Sequence, residues 1–327
     1  MIRKKKIMII ENKFPNVIIF YHKDADGVCA AYIIKQKYDN NLQNENWDKN
    51  VTCIACGYGD KYDLNFFKEQ VEKNYIDGME NIVYMVDYAI QPNNSMLNFW
   101  NWLSDKNCKF FWIDHHITAI ENLKHLNIPG FQSSAKSGCM NTWYEITKTA
   151  EGIPTPPMVI RYVNDFDLWN KKSEYSWDKQ LFPLIYFINS LGINLNDNTG
   201  ELVTTLKQMF EDNNYTTKCI NIGKYIYRYI KNEFNNNSKK IYPGTWKDYN
   251  CLFLNSSFNG STQFEDFENW QNYDLLIAWS YNGKKYIYSV YSTNPKINCG
   301  ELCKTFLNGG GHKAAAGGES LKFLTEE

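Results

Sequence analysis

The chain has 327 residues, a formal net charge of −1 and 43% hydrophobic residues, with 16% of the chain aromatic. That is enough apolar material for two folded domains, and it excludes a disordered or fibrous chain. The near-zero charge excludes a nucleic-acid footprint spread over the whole surface, but it leaves room for a small anionic substrate held by local cations.

The basic start Arg3-Lys4-Lys5-Lys6 is followed only by Ile7-Met8-Ile9-Ile10 before Glu11, too short for the apolar core of a secretory signal. No apolar run reaches the length of a membrane span. The expectation is a cytoplasmic protein with no membrane partner. Its nine cysteines, Cys53 and Cys56 included, read as reduced core residues.

In chain order, Val17-Ile18-Ile19-Phe20-Tyr21 reads as a buried strand running into His22-Lys23-Asp24-Ala25-Asp26-Gly27 and then a helical pattern from Val28 to Ile34. Strand, acidic turn and helix is how an α/β domain begins. His22, Asp24 and Asp26 alternate and can converge as hard-metal ligands, although a D-x-D-G turn is also an ordinary way to cap a helix. Residues 39–50 read as a loop, 51–56 as a strand and 66–71 as a helix. A second apolar strand ends at Asp87, and a helix over 95–103 follows.

The run Phe110-Phe111-Trp112-Ile113-Asp114-His115-His116 then reads as a buried strand delivering one carboxylate and two imidazoles at its end. Strand alternation predicts that the two histidines point to opposite faces. Open α/β sheets place ligands at the carboxyl ends of their strands, so three such ends carrying Asp or His form a repeated pattern.

Gly138 to Trp143 begins another helix whose first amides suit a phosphate. Arg161 to Trp169 supplies a fourth acidic point, where Asp165 and Asp167 compete. Residues 191–200 read as a linker, and 202–210 and 219–234 as helices joining two lobes. From Lys247 onward the strands 251–254, 275–279 and 286–291 point to a second, smaller domain, with Asn282-Gly283 as a hairpin turn. A helix over 299–307 leads into Gly309-Gly310-Gly311-His312-Lys313, whose backbone amides and cation suit an anionic terminus. Trp169, Trp246 and Trp279 could stack on bases, though such residues more often pack a core.

Four of the five histidines fall in these stretches. With Asp24, Asp26, Asp87, Asp114 and Asp165 they form a mixed imidazole and carboxylate set that suits Mn²⁺, with Mg²⁺ also allowed. Two ions about 3.5–4 Å apart, bridged by one carboxylate, would activate a water toward phosphorus.

At these residues the chain resembles the DHH/DHHA1 phosphoesterase superfamily, which includes nano-RNases and RecJ-like exonucleases. His22 to Gly27 resembles its first motif, Asp87 its second, Asp114-His115-His116 its third and Asp165 its fourth. Gly309-Gly310-Gly311-His312 resembles the glycine/histidine motif of its C-terminal domain.

The resemblance implies an N-terminal parallel-sheet DHH domain over 1–190 with helices on both faces, a helical linker over 191–246 and a smaller α/β DHHA1 domain over 247–327. It implies that Asp24 and Asp87 bind one metal, and that Asp26, Asp87, His115 and Asp165 bind the other, with Asp87 bridging. Asp114 would support the histidines, His116 would contact phosphate, and Gly309, Gly310, Gly311 and His312 would grip a terminal phosphate or nucleotide. The implied activity is metal-dependent hydrolysis of short oligonucleotides or small nucleotide phosphates. A single-strand exonuclease, a cyclic-dinucleotide phosphodiesterase and a non-catalytic nucleotide-binding protein are the alternatives, and a homodimer is allowed.

Overall fold

The computed structural model describes residues 15–39, 50–57, 60–92, 94–258 and 260–324. The basic start, most of the loop expected over 39–50, and Asn93 lie outside the described residues.

The first half alternates strands and helices: β1 (Asn16–His22), α1 (Ala25–Asp39), β2 (Val51–Cys56), α2 (Leu64–Asn74), β3 (Asn81–Val86), α3 (Asn94–Asp105), β4 (Lys109–Asp114), α4 (Ile117–Leu123) and β5 (Gly130–Gln132). The strands form one parallel sheet in the order β2-β1-β3-β4-β5. Because side chains alternate along a strand, β1 feeds two cores. Val17, Ile19 and Tyr21 pack with α1, while Ile18 and Phe20 pack with α2, α3 and α4. Burial on both faces explains why β1 and β3 are continuous apolar runs.

The chain continues through α5 (Gly138–Thr147), α6 (Met158–Asp167), α7 (Phe182–Ser190), α8 (Glu201–Glu211) and α9 (Asn213–Ser238). Leu202, Val203 and Leu206 of α8 and Cys219 and Ile220 of α9 are buried in the α1 core. The segment expected as a helical linker is therefore largely part of the first lobe, and only the end of α9 reaches away from it.

The second lobe comprises β6 (Tyr242–Trp246), β7 (Tyr249–Asn255), β8 (Leu275–Tyr281), β9 (Tyr286–Tyr291), α10 (Cys299–Phe306), β10 (Gly310–Gly311) and β11 (Ala315–Ser320). Its sheet order is β10-β11-β9-β8-β7-β6, antiparallel except for β7 against β8. The lobe thus begins at Tyr242, ahead of the expected Lys247, because β6 pairs as its edge strand. Asn282-Gly283 does turn the β8–β9 hairpin, with Asn282 Oδ1 accepting from the amides of Lys284 and Lys285.

The strand order places β1 between β2 on one side and β3 on the other. The chain's crossovers reverse direction between β1 and β3, and a crevice opens at the carboxyl ends of such a pair. His22, Asp87 and Asp114 stand at the ends of β1, β3 and β4 around it. Among the described residues, no helix is long and apolar enough to cross a membrane.

Candidate metal centre

The turn after β1 does two jobs at once. Asp24 Oδ1 accepts from the Gly27 amide at 2.9 Å, capping α1, while Oδ2 lies 2.6 Å from His22 Nδ1. Both sequence readings of this turn therefore apply to the same side chain. Gly27 is required by space, since a Cβ there would sit 2.1 Å from the His22 carbonyl oxygen. Asp26 points the other way, onto the start of α5. Its Oδ2 accepts from the Gly138 amide at 2.6 Å and its Oδ1 from the Cys139 amide at 2.9 Å. The helix end expected to greet a phosphate instead greets a carboxylate, with the positive end of its dipole toward the anion.

Asp87 is the hub. It leaves β3 with φ 53°, a left-handed conformation that Asp tolerates better than most residues. Its Oδ1 lies 3.1 Å from His115 Nε2, and its Oδ2 lies 3.9 Å from His22 Nδ1. Gly138 packs directly on it, where a Cβ would come within 2.6 Å of the Asp87 Cβ. Burial, with the carboxylates of Asp26, Asp24, Asp167 and Asp114 around it, raises the Asp87 carboxyl far above the ordinary range.

The β4 strand ends at Asp114, so His115 and His116 lie in the turn beyond it. Strand alternation does not govern them, and their rings stand 4.7 Å apart on the same side of the sheet's end. This corrects the expectation of opposite faces. Asp114 Oδ1 accepts from the His115 and His116 amides at 2.8 and 3.3 Å and contacts His116 Nδ1 at 2.7 Å. Burial pushes the Asp114 carboxyl up, but the His116 and His115 imidazoles and these bonds outweigh it and leave it lowered. Asn141, fully buried, donates its amide to the carbonyls of Asp114, Ser133 and Lys136, tying the end of β4 to the loop before α5. Nothing in its sequence surroundings signalled that role.

The fourth acidic point is Asp167, and Asp165 is displaced from it. Asp167 Oδ2 lies 3.3 Å from His115 Nε2. Asp165 accepts instead from Ser173 Oγ at 2.5 Å and from its neighbour Asn164 at 3.2 Å. The helical phase explains the difference. Val159 and Val163 of α6 are buried, and Asp167 continues that face at i+4 and i+8, whereas Asp165 falls off it. Reading 158–167 as a helix would have singled out Asp167. Burial raises its carboxyl well above the usual range, as do Asp26 and Asp24, against the pull of His116 and His22.

From the second lobe comes His312, its ring 4.9 Å from His116 and 5.4 Å from His115. Burial and those two imidazoles depress it to about 3. The glycine stretch is a β-turn-β unit and not an amide cradle. The Gly309 amide donates to the Cys303 carbonyl at 3.1 Å and the His312 amide to the Ala315 carbonyl at 2.8 Å, while Gly310 and Gly311 pair with β11. The three glycines nevertheless line an interlobe cavity of about 630 Å³, together with His116, Tyr88 and Lys304. Trp246 is a core residue of the second lobe, Trp279 packs half-buried against that core, and Trp169 is exposed with Lys171 3.8 Å above its ring.

The donor set fits divalent cations. Both Asp87 oxygens, Asp167 Oδ2 and Asp114 Oδ2 are buried without a hydrogen-bond partner among the described residues, which anions do not sustain unless cations neutralise them. Two triads offer ligand atoms within 4.8 Å of one another, His22-Asp24-Asp87 and Asp26-His115-Asp167, and Asp87 lies between them. Mixed imidazole and carboxylate ligands suit Mn²⁺ ahead of Mg²⁺.

No family model and no curated sequence matches the chain. Solved structures do. The DHH domain of a protein described as a member of a ribosomal-protein family aligns over 93% of this chain and 82% of its own, at 12% identity and a TM-score of 0.56. RecJ of Thermus thermophilus, in complex with Mn²⁺, aligns over 92% of this chain and 49% of its own, at 13% identity and a TM-score of 0.50. An uncharacterized protein from Helicobacter pylori aligns over 94% of both chains at 18% identity and a TM-score of 0.45. With its parallel β2-β1-β3-β4-β5 sheet, its second mixed sheet and the first two of these likenesses, the chain has the fold of the DHH superfamily.

Proposed function

We propose that this protein is a metal-dependent phosphoesterase that hydrolyses short oligonucleotides or small nucleotide phosphates. The observation that carries the reading is Asp87: a buried carboxylate with no donor on either oxygen among the described residues, surrounded by the carboxylates of Asp24, Asp26, Asp114 and Asp167 and approached by His22 and His115. Such a charge cluster at a strand-end crevice holds cations, and cations so placed meet phosphate oxygens. When bound, two Mn²⁺ ions supply Lewis acidity to the phosphate and to its attacking water.

The chain's own residues do the rest. Asp87 belongs to the His22-Asp24-Asp87 triad and lies 3.1 Å from His115 of the other, so it would help to hold an ion at either. Asp26 is fixed by the two α5 amides, so its geometry does not depend on the ions. Asp114 holds His116 through Nδ1, leaving Nε2 to meet a phosphate oxygen. His312 approaches from the opposite lobe and reaches the same phosphate. The cavity beside His116 has the volume of a small-ligand pocket, which favours a short terminal segment over a long strand.

The test is Mn²⁺-dependent cleavage of labelled RNA and DNA oligomers of increasing length, with Asp87→Asn and His115→Ala as controls. Rates that fall steeply beyond a few nucleotides, and that both substitutions abolish, support the reading. Sustained cleavage of long single strands moves the assignment to an exonuclease. Metal binding without hydrolysis of any phosphoester rejects the enzyme and leaves a nucleotide-binding protein.

A further inference from the structure

His115, His116 and His312 each offer a nitrogen within 4.8 Å of the other two. Two of these residues follow β4 in the first lobe, and the third sits at the turn between β10 and β11 in the second. The His116 and His312 rings are nearly parallel, at 20°. His116 Nδ1 lies 2.7 Å from Asp114, so Nε2 is the nitrogen turned to this set. His115 Nε2 lies among the carboxylates of Asp87, Asp167 and Asp26, so an ion in the imidazole set would take its other nitrogen, whose proton leaves to solvent as the ion binds and makes the ring an imidazolate between the two sites.

The two sets differ chemically. The carboxylate-rich triads suit hard ions, whereas an imidazole-only set suits borderline ions such as Zn²⁺, Ni²⁺ and Cu²⁺ and is poor for Mg²⁺. We propose that His115, His116 and His312 form a further cation site that takes a borderline ion such as Zn²⁺ and, with ligands from both lobes, holds the cleft shut. A tetrahedral ion with Zn–N bonds of about 2.0–2.1 Å places its nitrogens roughly 3.4 Å apart, which side-chain shifts of about an ångström provide. The fourth position stays open.

An ion there occupies the nitrogens that His116 and His312 would turn toward a phosphate. On the hydrolase reading above, Zn²⁺ therefore opposes turnover where Mn²⁺ supports it. The site itself does not depend on that reading.

The experiment counts ions and needs no substrate. The full chain, saturated with Mn²⁺, is dialysed against rising Zn²⁺, and both metals are measured by atomic emission for the wild type, His312→Gln, His312→Cys and His116→Gln. The expected result is one Zn²⁺ more in the wild type than in either Gln variant, with equal Mn²⁺ in all. His312→Cys restores Zn²⁺ binding, because thiolate is also a zinc ligand. Zn²⁺ affinity falls on the order of tenfold or more in the Gln variants. Equal Zn²⁺ in wild type and both Gln variants overturns the proposal; Zn²⁺ that exchanges for Mn²⁺ at the carboxylates, as the order of divalent affinities dictates, is the same in all four proteins and cancels from the comparison. An unchanged Mn²⁺ count certifies that each variant is folded. Failure here leaves the hydrolase standing, and absence of hydrolysis leaves this site standing.

Discussion

Asp87→Asn separates the two demands on that position. Asn accepts the same left-handed backbone and removes a buried, raised carboxyl, so the metal-free protein becomes more stable in thermal melts while Mn²⁺ no longer raises its melting temperature. Asp165 and Asp167 divide in the same way. Asp167→Ala abolishes the Mn²⁺-dependent rise, whereas Asp165→Ala keeps it and costs about 1–2 kcal/mol by losing its bonds with Ser173 and Asn164.

The same residues set a pH dependence. Asp87 and Asp167 have folded-state pKa values raised above their unfolded ones, so their contribution to stability is present at low pH and is lost as pH rises through the folded values. Asp24 and Asp114 are lowered: burial pushes each up, but neighbouring imidazoles outweigh it, so their contribution is present above the ordinary carboxylate value and is lost on acidification. Metal-free protein therefore weakens on both sides of an acidic optimum. Ion binding displaces the protons of Asp87 and Asp167, so the Mn²⁺-induced gain in melting temperature grows with pH. A gain that is flat between about pH 5 and 8 contradicts this account.

Among the elements, β1, β3 and β4 are readable because each is a continuous apolar run, and β2 falls where expected, Val51–Cys56, whereas the three-residue β5 offers no such run and has no counterpart in the sequence reading. Three strand ends with Asp or His located the crevice for the same reason. The last two strands of the second sheet carry no such signal. β10 and β11 are mostly Gly and Ala; β11 is held by β9, and β10 by β11. The histidines after β4 were placed on a strand because the apolar run gives no mark where its last hydrogen bond falls. α6 does carry a helical pattern, with Val159, Ile160, Tyr162 and Val163 on one face, but a stretch read from Arg161 to Trp169 begins inside it and hides the phase that places Asp167, and not Asp165, toward His115.

The start of α5 is the element most sensitive to change. Gly138→Ala drives a methyl into Asp87 and disturbs the amide that holds Asp26, so it costs about 1–3 kcal/mol and lowers Mn²⁺ affinity together, as isothermal titration would show. Ser137→Ala removes the side-chain cap on Met140 and the hydroxyl's contact with Cys139 Sγ, and costs about 1 kcal/mol without touching the ions.

At the scale of the molecule, the carboxylates and three of the site's histidines, His22, His115 and His116, come from the first lobe, and His312 comes from the second. On the hydrolase reading, the first lobe thus houses metal binding, while the grip on substrate is shared between His116 of that lobe and His312 of the other. His312→Ala is expected to leave Mn²⁺ affinity unchanged and to lower kcat/KM on a dinucleotide by about 10²-fold, the usual cost of one lost charge-stabilising donor. Equilibrium Mn²⁺ titration beside steady-state kinetics separates the two quantities.

The left-handed turn at Asp87 also channels how such a chain can drift. A β-branched or bulky residue cannot take that backbone without strain, so the replacements that keep the fold are few, and Asn is foremost among them. Asn is also the change that silences the ions. On the hydrolase reading, loss of the ions at this position is one conservative step away and leaves the shape of the molecule unaltered.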